Sequence, residues 1–424
     1  MSRKMKDSGI EWIGEIPEEW EVTEISGLYC ARNTKVNDVD YPPLSVTKQG
    51  VLPQLENVAK SDDHDNRKLV KKGDFVINSR SDRRGACGIS KYDGSVSLIN
   101  IVLQPLKKSC NSYYNWLFNT IQFSEEFYKW GHGIVDDLWT TTWQDMKKIS
   151  VPMPPVYFQQ HIANYLDKKC SKIDSLTADI QKQIGILEQY RKSVITETVT
   201  KGLDPNVKMK DSGIEWIGEI PEEWEVRRLK QCIIGISDGT HGTFQRVSSG
   251  KLLLSAKNVF EDGIHINENE SMISENDHNL ITSNGFPKKN DILLCCVGTV
   301  GRCSLYPFEE PIAFQRSVAM LRSNCDVIAY RLLFYCLLSD SVLTQERLIT
   351  NKSAQEGLYQ GAIKELRLCL PKNTDEQILL ISYLDSKCSR LDELIRLKNQ
   401  QLETLAQYKK SLIYEYVTGK REAI

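Results

Sequence analysis

An eighteen-residue block occurs twice in this 424-residue chain without a change: Met5-Lys-Asp-Ser-Gly-Ile-Glu-Trp-Ile-Gly-Glu-Ile-Pro-Glu-Glu-Trp-Glu-Val22 returns as Met209 to Val226. An identical run of this length is beyond chance, and internal repetition constrains a fold before any other signal does. The spacing is about half the chain. The protein is therefore two copies of one unit in a single polypeptide, not a solenoid of many short repeats.

The repetition continues in the second half of each unit. Tyr165-Leu-Asp-Lys-Lys-Cys-Ser-Lys-Ile-Asp174 matches Tyr383-Leu-Asp-Ser-Lys-Cys-Ser-Arg-Leu-Asp392, and Tyr190-Arg-Lys-Ser-Val-Ile-Thr-Glu matches Tyr408-Lys-Lys-Ser-Leu-Ile-Tyr-Glu at the same offset. Both segments predict long helices. Ile173, Leu176, Ile180, Ile184, Leu187, Tyr190 and Val194 fall at three- and four-residue steps, and Leu391, Leu394, Ile395, Leu402, Leu405, Tyr408 and Leu412 follow the same helical period with a seven-residue gap between Ile395 and Leu402. This apolar stripe on a charged helix is the pattern of a coiled-coil seam. Gln183 and Gln401 interrupt it at matching places, where a polar seam residue fixes register. Two separate amphipathic helices on two globular cores are the alternative. Upstream, Ile149-Ser-Val-Pro-Met-Pro-Pro-Val-Tyr-Phe-Gln-Gln-His-Ile parallels Leu366-Arg-Leu-Cys-Leu-Pro-Lys-Asn-Thr-Asp-Glu-Gln-Ile, with Gln160 set opposite Gln377. In each, a short apolar strand ends at proline and an acidic or amide-rich stretch opens a helix.

The order is strand-rich part, helix, strand-rich part, helix. If the second helix packs on the first, the simplest path is antiparallel. The C-terminus then returns to the N-terminal block, in a pseudo-two-fold, nearly circular chain of α+β class. A helix from about Gln159 to Thr200 spans roughly 60 Å at 1.5 Å per residue, a rigid spacer. The parts between, 23–150 and 227–368, resemble each other weakly and read as mixed, strand-rich domains. Lys71-Lys-Gly-Asp-Phe-Val-Ile77 parallels Lys288-Lys-Asn-Asp-Ile-Leu-Leu294, Gly85-Ala-Cys-Gly88 parallels Gly298-Thr-Val-Gly301, and Leu44-Ser-Val parallels Leu254-Ser-Ala. A repeated framework with diverged heads suits an asymmetric, bipartite target.

Several chemistries lack their residues. There is no Gly-x-x-x-x-Gly-Lys-Ser/Thr phosphate loop, so no ATP-driven motor is expected. An amine methyltransferase needs an Asn/Asp-Pro-Pro-aromatic motif; the nearest text, Met153-Pro-Pro-Val-Tyr157, has Met in place of the amide or carboxylate. Asp62-Asp63 and Asp136-Asp137 are paired carboxylates without nuclease-like partners and read as surface charge. His241, His265 and His278 show no metal spacing. The twelve cysteines include no Cys-x-x-Cys pair and read as buried, reduced thiols of a cytoplasmic protein. No apolar run approaches the roughly 18 residues of a membrane span, and the start of the chain lacks a signal core. The formal net charge of -2 leaves any DNA surface to a local basic patch or to a partner.

The candidate readers lie in the diverged parts. Arg80, Arg83 and Arg84 follow an apolar strand, with Lys91 beyond. Arginine can grip guanine O6 and N7 bidentately, and lysine can hold phosphate. In the second part His241, Lys257, Asn258, Arg302, Gln315 and Arg316 lie in or beside turn-rich segments, and Gln can pair with adenine. For each, a solvated or fold-stabilising side chain is the plain alternative. Trp12, Trp20, Trp216 and Trp224 sit in the identical blocks and are assigned to the scaffold core, because a sequence reader should differ between unlike heads.

The repeated block, Leu44-Ser-Val-Thr-Lys-Gln-Gly-Val51, Asp238-Gly-Thr-His-Gly-Thr-Phe with Ser255-Ala-Lys-Asn-Val, and the strand–Pro-Pro–Gln–helix stretch at 149–170 together resemble type I restriction–modification specificity subunits. The likeness covers essentially the whole chain, although 366–377 lacks the Pro-Pro pair of Pro154-Pro155. It implies target-recognition domains at 1–153 and 205–370 and conserved helical spacers at 154–204 and 371–424. It implies a non-catalytic subunit that reads a split double-stranded DNA site. Its stripe residues Ile173, Leu176, Ile180, Leu187, Tyr190, Leu391, Leu394, Leu402, Leu405 and Tyr408 would form the coiled coil and dock two modification subunits. S-adenosylmethionine chemistry would lie on those subunits, and ATP and Mg on two restriction subunits, with no cofactor in this chain. The alternative is a coiled-coil scaffold whose heads bind proteins or glycans.

Overall fold

The computed structural model describes residues 3–54, 64–106, 109–133, 139–283, 285–350 and 357–422. The chain forms two compact units, one of 1–181 with 400–424 and one of 182–399. Each unit therefore owns part of both long helices, Val156–Lys201 and Thr374–Val417.

The repeated block builds the same small structure in each unit. Strand Met5–Asp7 pairs antiparallel with Glu15–Pro17, and Met209–Asp211 with Glu219–Pro221. The turn between them depends on Asp-Ser-Gly. The Asp7 carboxylate accepts from Gly9 N, and that of Asp211 from Gly213 N, both at 2.9 Å. Gly9 and Gly213 hold φ of 69° and 71°, a region that costs other residues a steric penalty. The chain leaving the block, Glu21–Glu24 or Glu225–Arg228, pairs antiparallel with the strand before a long helix, Ser150–Met153 or Arg367–Leu370.

The block also seats the far end of a long helix. In the first unit Ile10, Ile13, Ile16 and Trp20 share a core with Leu412, Tyr416 and Val417. In the second, Ile214, Ile217, Ile220 and Trp224 share one with Val194, Ile195 and Val199. Each helix stops at a left-handed glycine, Gly202 (φ 75°) or Gly419 (φ 73°), the usual helix stop. Both glycines lie against the proline and tryptophan of a block. The Arg3 guanidinium reaches Glu422 at 3.7 Å, so the expected return of the C-terminus to the N-terminal block is found. Trp20 and Trp224 are 0% and 1% exposed, and Trp12 meets Phe123 edge-on. Trp216 departs from its core assignment, at 40% exposed.

The helices pair antiparallel within each unit. In the first, Tyr165 stacks on Tyr416 and Asp174 meets Lys409; in the second, Arg191 meets Asp392. The seam is narrower than the apolar stripe. Ile180 and Leu391 are buried, and Ile173, Leu187, Leu402 and Leu405 are half-buried, whereas Leu176, Tyr190, Leu394 and Tyr408 are exposed. A two-helix contact covers only part of such a stripe. Gln183 and Gln401 are also exposed, which corrects their assignment to the seam.

Each head is tied to a long helix by the repeated residues. Leu166 and Leu384 are fully buried. Asp167 accepts from Trp116 Nε1 at 2.9 Å, and Asp385 from Arg331 Nε at 2.7 Å and Tyr335 Oη at 2.6 Å. Asp385 raises the Arg331 pKa through that bond. The residue equivalent to Gln377 is Gln159, not Gln160. Gln159 accepts from Cys110 N at 2.8 Å and donates to Pro154 O; Gln377 accepts from Ala329 N at 3.0 Å and donates to Val327 O. Cys110 and Ala329 are the N-caps of the head helices Asn111–Phe118 and Tyr330–Leu338, so both glutamines clamp the start of a long helix to a head.

The heads share a topology that their sequences barely share. Strands run Cys87–Ile89, Phe75–Asn78, Asn100–Pro105, Tyr29–Ala31 in the first sheet, and Cys303–Leu305, Ile292–Cys295, Val318–Ser323, Ile233–Asp238 in the second. The Lys-Lys-Gly/Asn-Asp turn precedes the central strand in both. Gly73 and Asn290 take positive φ there, and Asp74 and Asp291 cap the turn and bind Arg32 and Arg322. Nine of the cysteines are buried, and burial pushes Cys87 and Cys369 up to about 12.

Candidate nucleic-acid interface

In the first head, strand Phe75–Asn78 is wholly buried and delivers Arg80 to the surface. A short 3-10 turn, Ser81–Arg83, and Gly85 at φ 75° carry the chain back into Cys87–Ile89. Arg80, Arg83 and Arg84 thus crowd one exposed hairpin tip. Arg83 lies 3.5 Å from Asp82, and Arg84 sits over the Tyr128 ring at 5.3 Å. Among the described residues Arg80 and Arg84 have no carboxylate partner, unlike Arg3 and Arg32 of the same unit. Ser81 N donates to Trp139 O at 3.0 Å, and a cleft of about 740 Å³ opens between the tip, Tyr128, Lys129 and Trp139.

Lys91 does not join this cluster. It follows Ile89, which pairs with Phe75 at the opposite end of the hairpin. Four strand residues separate the two ends, about 13 Å.

In the second head, residues far apart in sequence meet. Thr240 N donates to Phe314 O at 2.7 Å, Arg316 N to Thr240 O at 2.9 Å, and Gln315 N to Leu254 O at 2.8 Å. Ala256 N donates to Ser317 Oγ at 3.1 Å. These bonds gather His241, Lys257, Gln315 and Arg316 into neighbouring loops. Lys257 reaches Glu270 at 2.7 Å. Burial would raise the Glu270 carboxyl, but bonds from Lys257, Ser271 N and Asn258 hold it at about 2.

Two candidates are spent on the fold. Asn258 is 1% exposed, accepts from Ser255 N and donates to His265 O and Glu270; a buried, satisfied amide cannot reach a base. Arg302 stacks on Phe260 at 4.3 Å and donates to Ala256 O. It faces a cavity of about 430 Å³ shared with Glu188, Arg191 and Asp392, on the helix side. The paired acids Asp62-Asp63 and Asp136-Asp137 lie outside the described residues. His265 stacks on Phe260 at 4.2 Å and His278 bonds Pro311 O at 3.2 Å. Among the described residues no three His, Cys, Asp or Glu side chains converge as a metal site, and no helix is long and apolar enough to cross a membrane.

The family model for the type I restriction modification DNA specificity domain matches residues 17–185. A putative type I restriction enzyme MjaX specificity subunit of Methanocaldococcus jannaschii is 23% identical, over 96% of this chain and 95% of its own. The MjaVIII specificity subunit of the same organism is 26% identical, over 96% and 93%. A solved chain of a type I R-M system, 14% identical, superposes with a TM-score of 0.69 over 96% of this chain and 99% of that one. Residues 17–185 thus match a type I restriction–modification DNA specificity domain, and the chain is similar along nearly its whole length to specificity subunits of such systems.

One buried acid of the second head escaped the sequence reading. Glu346 is 1% exposed, and neither carboxylate oxygen has a hydrogen-bond partner among the described residues. It lies under the second hairpin tip, where a side chain on Gly301 would collide with it. Burial pushes its carboxyl from 4.5 up to about 8, against the opposing effect of Arg347. The folded state thus holds a proton that the unfolded state releases near 4.5, so stability falls as pH rises between these values. We expect the wild type to lose up to about 1.4 kcal/mol per pH unit in that window relative to Glu346→Gln, read by thermal melts from pH 5 to 8. Parallel curves for the two proteins would refute the buried acid.

Proposed function

We propose that the subunit reads a bipartite, asymmetric DNA site, one half per head, and that it is non-catalytic itself. One observation carries this reading: a repeated framework holds two heads of one topology whose loops differ in chemistry. The half-exposed apolar residues of the long helices, Leu176, Tyr190, Leu394 and Tyr408 among them, support a docking role, since such groups seek cover. Two modification subunits bound there would bring S-adenosylmethionine and methylate adenine. Two restriction subunits would bring ATP- and Mg-dependent translocation and cleavage. With a net charge of -2, much of the phosphate contact falls to those partners, and the assembly works on DNA in the cytoplasm. Footprinting with the cognate modification subunit tests the reading. Two short protected segments are expected; no sequence-specific protection with that partner present would favour protein- or glycan-binding heads.

The first long helix has 46 residues, about 69 Å, and serves as a ruler in this proposal. Four residues added to both long helices, about one turn, should lengthen the unread spacer between half-sites, as read by mapping methylated sites. A spacer of unchanged length would reject the ruler.

A further inference from the structure

The matched topology allows the heads to be compared position by position. Ile77 faces Ile101 and Cys87, as Leu294 faces Ala319 and Cys303. The hairpin tip Arg80-Ser-Asp-Arg-Arg84 therefore corresponds to Val297-Gly-Thr-Val300, a shorter tip. Gly85 corresponds to Gly301, both at positive φ, which corrects the pairing of Gly85 with Gly298.

A second loop lies beside each tip. A parallel bridge at Pro43–Ser95 corresponds to the parallel pairing Leu253–Ala313. Counting on from it, Ser97-Leu-Ile99 corresponds to Gln315-Arg-Ser317. Ser79 Oγ donates to Ile99 O in the first head, and Cys296 N to Ser317 O at 2.8 Å in the second. Each tip is thus bonded at its base to the adjoining turn.

The chemistry of these two loops is exchanged. The first head has a cationic tip and an apolar turn, with Leu98 and Ile99 both 37% exposed. The second has an apolar tip, with Val297 44% exposed, and a polar turn of Gln315 and Arg316. Scattered exposed hydrophobics are ordinary. Here they stand in both heads beside hydrogen-bonding side chains, at corresponding but interchanged places.

We propose that tip and turn together form the base-reading surface of each head, the apolar loop contacting thymine methyl groups and the polar loop contacting purine edges, with the two roles interchanged between heads. The inference rests on the DNA-reading function proposed above. Val, Leu and Ile side chains offer no hydrogen bond and can favour a base pair only through the thymine C5 methyl, whereas Arg and Gln match the N7 edges of guanine and adenine. In the first half-site the arginine tip reads guanine and Leu98-Ile99 reads thymine. In the second, Val297 reads thymine, and Gln315 and Arg316 read the purine.

The test uses the full chain with its cognate modification subunit and duplexes carrying the site mapped by methylation sequencing. Thymine is replaced singly by uracil, which lacks only the methyl. Each methyl read should cost about fourfold in affinity when removed, the equivalent of about 0.8 kcal/mol. Val297→Ser should erase this thymine preference in one half-site, and Leu98→Ser with Ile99→Ser in the other. Uracil tolerated at every position overturns the inference, as does a half-site made only of G·C pairs; neither outcome needs a variant to fold. Failure to bind the intact site specifically would overturn the DNA-reading function itself, before any base is changed.

Discussion

Replacing Arg80, Arg83 and Arg84 together by alanine should abolish discrimination in one half-site and leave the other intact. Each bidentate arginine–guanine pair carries about 1–3 kcal/mol of discrimination, and phosphate contacts by the same residues add salt-dependent affinity. Loss of the set should weaken that half-site on the order of a hundredfold and flatten the salt dependence. The side chains are exposed and Arg80 and Arg84 lack carboxylate partners among the described residues, so the melting temperature should hardly move. Lysine at all three positions should restore affinity for DNA in general but not base discrimination, because an ammonium lacks the planar fork. The measurement is the methylated motif in cells carrying the intact system. An unchanged motif would strike these arginines from the contact surface.

The second large effect concerns the repeated block. Alanine at Trp20 or Trp224 should each cost about 3–5 kcal/mol, as for a buried indole. Phenylalanine should separate the two. Trp224 Nε1 donates to Glu376 at 2.9 Å, and a bond to a charged group contributes about 1.5–3 kcal/mol. At the position in the first unit equivalent to Glu376 stands Phe158, and Trp20 Nε1 has no partner among the described residues. Trp224→Phe should therefore destabilise more than Trp20→Phe in denaturant melts, although the two tryptophans lie in identical eighteen-residue blocks. Equal losses would show that Glu376 adds nothing.

That asymmetry marks the limit of what repetition can reveal. The identical blocks announce a common framework, and their burial bears this out for Trp20 and Trp224. Their hydrogen bonds depend on the helix start that each meets, and there the sequences differ. The helix stripe was legible from its periodicity, but not which of its residues enter the seam. Equal hydrophobicity at Ile180 and Leu176 hides opposite exposure. Among the candidate readers, the arginine cluster was legible because its members are neighbours in sequence. Asn258 and Arg302 look like polar loop residues until Glu270 and Phe260, brought from elsewhere in the fold, engage them. Leu98, Ile99 and Val297 gave no signal, since exposed apolar residues in a short run read as ordinary strand ends.

The sequence by itself determined that there are two units, that each carries a strand-rich head, and that two long helices join them. Repetition and periodicity are local properties, and identical local sequences have identical local preferences. Only the tertiary structure decided which surfaces stay open. Tyr414 Oη donates to Trp12 O across 402 positions, and contacts of that span assign the end of one helix to one block. Gly85 and Gly301 fall into register only when the strands of each head are paired. Burial and pairing are set by partners distant in the chain, and the order of residues does not name them.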